Sequence, residues 1–201
     1  MIQPIEKDGC EIFVVDESDV SHEKIEDWYK TIRKSLERLP VGGLIIFNLG
    51  KCSVLGPSVL MGLVKKLQEG AKRRKQGILK GRHFIVLDPS EDVELLLSLL
   101  LEKAHWSLIV AFSKENAGSK RSQKVLNLPE FLSHPLKFIE NREGTTAREL
   151  ELHLDKEYKT PARECLRQLF RRGLVVREGS GGPEGQPHFI YRAVKLPETL
   201  Q

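Results

Sequence analysis

Cysteine is scarce in this chain of 201 residues: Cys10, Cys52 and Cys165 are the only three, widely spaced and each set among apolar neighbours. An odd, scattered set argues against a disulfide framework and suits reduced, buried thiols. Aromatic residues make up only 6% of the chain, which disfavours a stacking platform for single-stranded nucleic acid. Long apolar runs are missing too. The greasiest stretch, 93–101, is interrupted by Glu94 and Ser98, and it is far too short to cross a bilayer. The first residues, Met1-Ile2-Gln3-Pro4-Ile5-Glu6, lack the basic-then-apolar order of a signal peptide. A cytoplasmic protein without a membrane anchor is expected.

Signatures of metal and nucleotide chemistry are equally sparse. His22, His83, His105, His134, His153 and His188 never stand at ligand spacing with a cysteine or carboxylate on one helix face, and no HExxH, paired CxxC or P-loop occurs. Gly179, Gly181, Gly182 and Gly185 follow a strand pattern but lead into another strand, so they form no dinucleotide fingerprint. The expectation is no metal, no cofactor and no enzymatic activity.

The net charge of +4 hides an uneven distribution. Residues 1–118 hold 17 basic and 17 acidic side chains, 119–137 hold 4 and 1, and 138–201 hold 11 and 10; the differences of 0, +3 and +1 make up the total. Any footprint on a polyanion must therefore be a local patch. Lys65, Lys66, Lys72, Arg73, Arg74, Lys75, Lys80 and Arg82 form one cluster, read first as a solvated helix end complementing the helix dipole. Lys120, Arg121 and Lys124 lie in a small, polar stretch that reads as a linker.

Within residues 11–112 strands and helices alternate, the signature of an α/β sheet covered by helices. Ile12-Phe13-Val14-Val15, Leu44-Ile45-Ile46-Phe47, Phe84-Ile85-Val86-Leu87 and Leu108-Ile109-Val110 are apolar strands. The intervening helices are expected over 21–39, from Gly56-Pro57 onward with Leu60, Leu63, Val64 and Leu67 inward, and over 91–103 after a Ser90 cap. This succession resembles the STAS domain of sulfate transporters and anti-sigma factor antagonists. The matching stretches are Val15-Asp16-Glu17-Ser18-Asp19-Val20, Ile45-Ile46-Phe47-Asn48-Leu49 and Pro89-Ser90-Glu91-Asp92-Val93-Glu94-Leu95-Leu96. The resemblance implies a module that binds a protein partner, such as an anti-sigma factor or a second copy of itself, or a small ligand. The family's regulatory motif places a phosphorylatable serine at the start of the second helix. Here Gly56, Pro57, Ser58, Val59 and Leu60 occupy those places, and only Ser58 and Leu60 match. The alternative reading of Ser58 is a small residue in a first helical turn.

The C-terminal third begins with a helix over 131–141. Thr146 and Glu149 have capping-box spacing, and Ala147, Leu150 and Leu154 share one face of the next helix. A polar turn over 155–159 leads to Thr160-Pro161, expected to cap and open a further helix that Gly173 closes. In that helix Ala162, Cys165, Leu166, Leu169 and Phe170 recur at helical spacing, while Arg163, Arg167, Gln168 and Arg171 lie opposite. Arginine and glutamine carry the planar forks that match guanine and adenine edges, and arginine also neutralises phosphate. Glu164 lies among them and either reads cytosine or repels the backbone. A glycine-rich hairpin over 174–194 follows.

The order from Thr145-Thr146-Ala147-Arg148-Glu149-Leu150 through Arg167-Gln168-Leu169-Phe170-Arg171-Arg172-Gly173-Leu174-Val175 to the hairpin resembles the winged helix-turn-helix of bacterial regulators. The expected organisation is a STAS-like domain over 1–118, a linker over 119–130 and a smaller winged-helix (α+β) domain over 131–201. The expected function is a transcriptional regulator binding double-stranded DNA, in which Arg163, Arg167, Gln168 and Arg171 enter the major groove and Thr145, Thr146 and Thr160 donate to phosphates. A homodimer would double the site read by one short helix. The alternative is a partner-switching adaptor that never touches DNA, favoured by the absence of lysine and arginine over 178–191.

Overall fold

The computed structural model describes residues 5–7, 10–16, 24–40, 42–52, 55–72, 82–113, 123–154, 158–181, 187–195 and 197. The chain is mixed α/β and divides into two compact units, one of Met1–Asn127 with Lys195–Gln201, the other of Leu128–Val194.

The first unit is built on six strands lying side by side in chain order: β1 Ile5–Lys7, β2 Cys10–Asp16, β3 Leu44–Lys51, β4 His83–Leu87, β5 Leu108–Ala111 and β6 Gln123–Leu126. β2 to β5 are mutually parallel, and β1 and β6 add antiparallel edges. Helices α1 Lys24–Arg38, α2 Pro57–Lys72 and α3 Glu91–Ala104 make the parallel crossovers. Because the strands follow chain order, crossovers of one hand place the three helices on one face. The core has that composition: Phe13, Phe47, Phe84 and Val110 of the sheet meet Trp28 and Ile32 of α1, Leu60 and Val64 of α2, and Val93 and Leu97 of α3. Trp28 meets Phe47 edge-on at 5.6 Å between ring centroids.

Alternate residues point to the other face. There Ile12, Ile46, Ile85 and Ile109 are register partners across four strands, and all are buried. Burial on both faces is why these strands read as continuous apolar runs instead of alternating ones. Ser90 caps α3 as its position suggests, accepting from Val93 N at 3.4 Å. The side chains of Ile25, Tyr29, Leu36 and Leu67, and the basic positions 73–80, lie outside the described residues.

The segment expected as a linker is partly a strand. Gln123–Leu126 pairs with β5, Leu126 opposite Leu108 and Val125 opposite Ile109. Lys124, read as part of a basic arm, lies in this strand with its ammonium 2.7 Å from Glu94 and 5.4 Å from the Phe112 ring centroid. A charged residue on an edge strand is a common guard against further pairing, and it makes the segment look more linker-like than it is. Lys120 and Arg121 lie outside the described residues.

The second unit contains α4 Glu130–Glu140, α5 Ala147–His153, α6 Ala162–Arg171 and an antiparallel hairpin of β7 Val175–Gly181 and β8 Pro187–Ala193. Leu132, Leu136 and Ile139 of α4, Leu150 of α5, Cys165, Leu166 and Leu169 of α6, and Val175 are among its buried apolar residues. Thr146 and Glu149 make the expected capping box: Thr146 Oγ1 accepts from Glu149 N at 3.2 Å, and Thr146 N donates to Glu149 Oε2 at 2.7 Å. Gly173 has φ 72°, a left-handed conformation that costs glycine nothing. Its N–H donates to Phe170 O and that of Leu174 to Leu169 O, the paired bonds of a Schellman closure.

Candidate nucleic-acid interface

α6 owes its orientation to a strongly divided surface. Ala162, Cys165, Leu166 and Leu169 are buried against the unit, and Arg163, Arg167 and Arg171 are exposed on the opposite side. Phe170 is half-buried, and so is Gln168. Burial raises the pKa of the Cys165 thiol, with Glu164 adding to the shift, so it stays protonated and acts as a small apolar filler.

The polar face is wired through Glu164. Gln168 Nε2 donates to Glu164 Oε1 at 3.0 Å, and Arg167 forms an ion pair with the same carboxylate. The hydrogen bond from Gln168 is the largest influence on the Glu164 carboxyl; desolvation opposes it, and the Arg167 contact and the charges of Arg167 and Arg171 add to it, so the pKa lies below its ordinary range. Of the four side chains expected to meet base edges, two are therefore engaged within the helix. These are i,i+3 and i,i+4 contacts on a solvated surface, each worth only about 0.2–0.5 kcal/mol.

The three threonines fare differently from one another. Thr145 is fully buried, and its backbone exchanges hydrogen bonds with Tyr191 of β8 at 2.9 and 2.8 Å. It serves as a one-residue third strand on the hairpin, so its hydroxyl has no route to a phosphate. Thr146 is half-buried, and its hydroxyl is committed to Glu149. Thr160 is half-buried and does not cap α6. Pro161 holds the cap position without a side-chain bond, leaving Thr160 one residue outside it, where its carbonyl accepts from Cys165 Sγ at 3.8 Å. Ser58 is exposed in the first turn of α2, where Gly56 O accepts from Val59 N and Leu60 N.

The hairpin adds an arginine that pattern reading passed over. Arg177 of β7 is exposed, and its guanidinium lies 4.6 Å from the Phe170 ring centroid and 4.5 Å from that of Phe189. The two rings hold a cation beside the basic face of α6 by cation–π attraction. Its place just before the stretch without basic residues conceals it in sequence. Arg192 of β8 is the opposite case: it donates to both carboxylate oxygens of Glu178 at 2.6 Å and to Glu143 O at 2.7 Å. Among the described residues no group of three His, Cys, Asp or Glu side chains could hold a metal ion, and no helix is long and apolar enough to cross a membrane. No protein-family model matches this chain, and no curated protein does so either.

Proposed function

We propose that the chain is a transcriptional regulator whose C-terminal unit binds double-stranded DNA as a winged helix, under control of a STAS-like N-terminal unit that receives a protein or ligand signal. One observation carries the reading: the side of α6 away from the core is exposed and presents Arg163, Arg167 and Arg171. A helix of this kind fits the major groove, where guanidinium forks meet guanine and neighbouring phosphates. Arg177 stands ready for a phosphate next to it. Glu164 would release Arg167 and Gln168 on binding, because the contacts within the helix are weaker than a bidentate bond to a base, about 1–3 kcal/mol.

On the N-terminal unit, exposed Ser58 in the first turn of α2 supports a signalling surface there. A phosphate at that position would meet the positive end of the helix dipole.

A second reading, the partner-switching adaptor, draws on the Arg192–Glu178 pair, which neutralises a hairpin arginine. Fluorescence anisotropy with random duplex DNA at two salt concentrations separates the two. The regulator gives measurable affinity that falls steeply as salt rises, through release of counterions. Absence of binding at low salt refutes it and leaves the adaptor.

A further inference from the structure

We propose that His134 and His153 form a two-imidazole site for a divalent transition-metal ion of tetragonal preference, Ni2+ or Cu2+, linking α4 to the end of α5. Both histidines are exposed, and their Nε2 atoms lie 3.1 Å apart. An ion about 2.1 Å from each nitrogen would subtend an angle of about 95° across that gap, close to the right angle of tetragonal coordination and below the tetrahedral angle.

The ring positions point the same way. The centroids are 4.9 Å apart with the planes at 62°. A straight N–H···N hydrogen bond would put the centroids about 5.4 Å apart, whereas two rings converging on a shared ion stand about 4.8 Å apart. The observed separation is closer to convergence.

Each ring is also held from outside the pair. His153 stacks on Phe138 with centroids 3.9 Å apart and planes at 20°, and His134 meets the edge of Tyr158 at 6.2 Å. The hydroxyl of Tyr158 is in turn bonded to Phe131 O. Two donors 19 residues apart in sequence thus meet before any ion arrives, and little side-chain freedom is left to lose on binding. Among the described residues no third His, Cys, Asp or Glu completes a cluster, so the two imidazoles are the protein ligands on which the site rests. Such a site exchanges its ion readily, unlike the closed four-ligand sites that build a fold.

The test is calorimetric titration of Ni2+ into the full chain at mildly alkaline pH, where imidazole nitrogens are free to coordinate. Wild type is compared with His134→Ala, His153→Ala and, as a control at another exposed histidine, His105→Ala. The expected result is one saturable site in wild type and in His105→Ala, weakened by about tenfold or more in each of the other two. Ni2+ should also raise the Tm of wild type more than that of His134→Ala, since a native-state ligand shifts the unfolding equilibrium to an extent that grows with its affinity. Circular dichroism confirms that the variants are folded. Equal binding by wild type and His134→Ala overturns the proposal, as does the absence of a saturable site in wild type. Tighter binding of Zn2+ than of Ni2+ and Cu2+ overturns the tetragonal assignment.

Discussion

The hydroxyl of Tyr158 donates to the backbone carbonyl of Phe131, the acceptor that Pro135, four residues on in α4, cannot serve because proline has no N–H. A side chain from the approach to α6 thus completes the hydrogen bonding of α4. Tyr158→Phe should lower stability by about 1 kcal/mol, the net worth of one such bond, read as a shift in the urea midpoint. Pro135→Ala in the same background restores the backbone donor, so a double-mutant cycle should show coupling between the two positions; strict additivity would contradict the assignment. Burial raises the Tyr158 pKa. The bond therefore contributes fully below the ordinary phenol range and is lost as pH rises through the higher folded value.

Glu164 offers a test on the basic face itself. If it repels the DNA backbone and holds Arg167 back, Glu164→Gln should tighten binding to random duplex by about three- to tenfold and steepen the salt dependence. Anisotropy at matched salt measures both. A loss of affinity confined to particular sequences would instead make Glu164 a reader of cytosine.

Thr146→Ala removes the capping box of α5 and should cost about 1 kcal/mol. Glu149 carries the pH signature of the same bond. The Thr146 backbone N–H and then its hydroxyl lower the Glu149 pKa, so the stabilisation is present above the ordinary carboxylate range and disappears as pH falls through the lower folded value. Thr146→Ala keeps the backbone N–H, the larger of the two causes, so the difference between the thermal melts of wild type and variant should shrink only in part as pH falls.

Gly173→Ala forces a Cβ into a left-handed backbone and should destabilise by about 1–2 kcal/mol. The loss should appear mainly as fraying at the end of α6, measured by faster amide exchange at Gly173 and Leu174, whose N–H groups close the helix. Unchanged exchange there would contradict the role given to this closure.

Local features were legible before any coordinates. The Thr146–Glu149 box, the Ser90 cap, the Gly173 terminus and the apolar strands from Leu44, Phe84 and Leu108 depend on residues within a few positions of one another, where spacing and side-chain chemistry suffice. The divided surface of α6 belongs with them, because helical periodicity alone separates Cys165 and Leu169 from Arg163, Arg167 and Arg171. So does the placement of Glu164 beside Gln168, three and four residues being neighbours on a helix.

Tertiary structure decided what distant partners control. Thr145 looks like an exposed loop residue until Tyr191 pairs with it and buries it. The strand 123–126 looks like a linker until β5 offers it an edge. Arg177 gains its place between Phe170 and Phe189, and His134 meets His153, only when separate elements pack. Sequence settles periodicity and most caps, Thr160 at α6 excepted, because these energies arise within one or two turns of chain. Pairing, burial and the meeting of side chains depend on which surfaces the whole chain brings together.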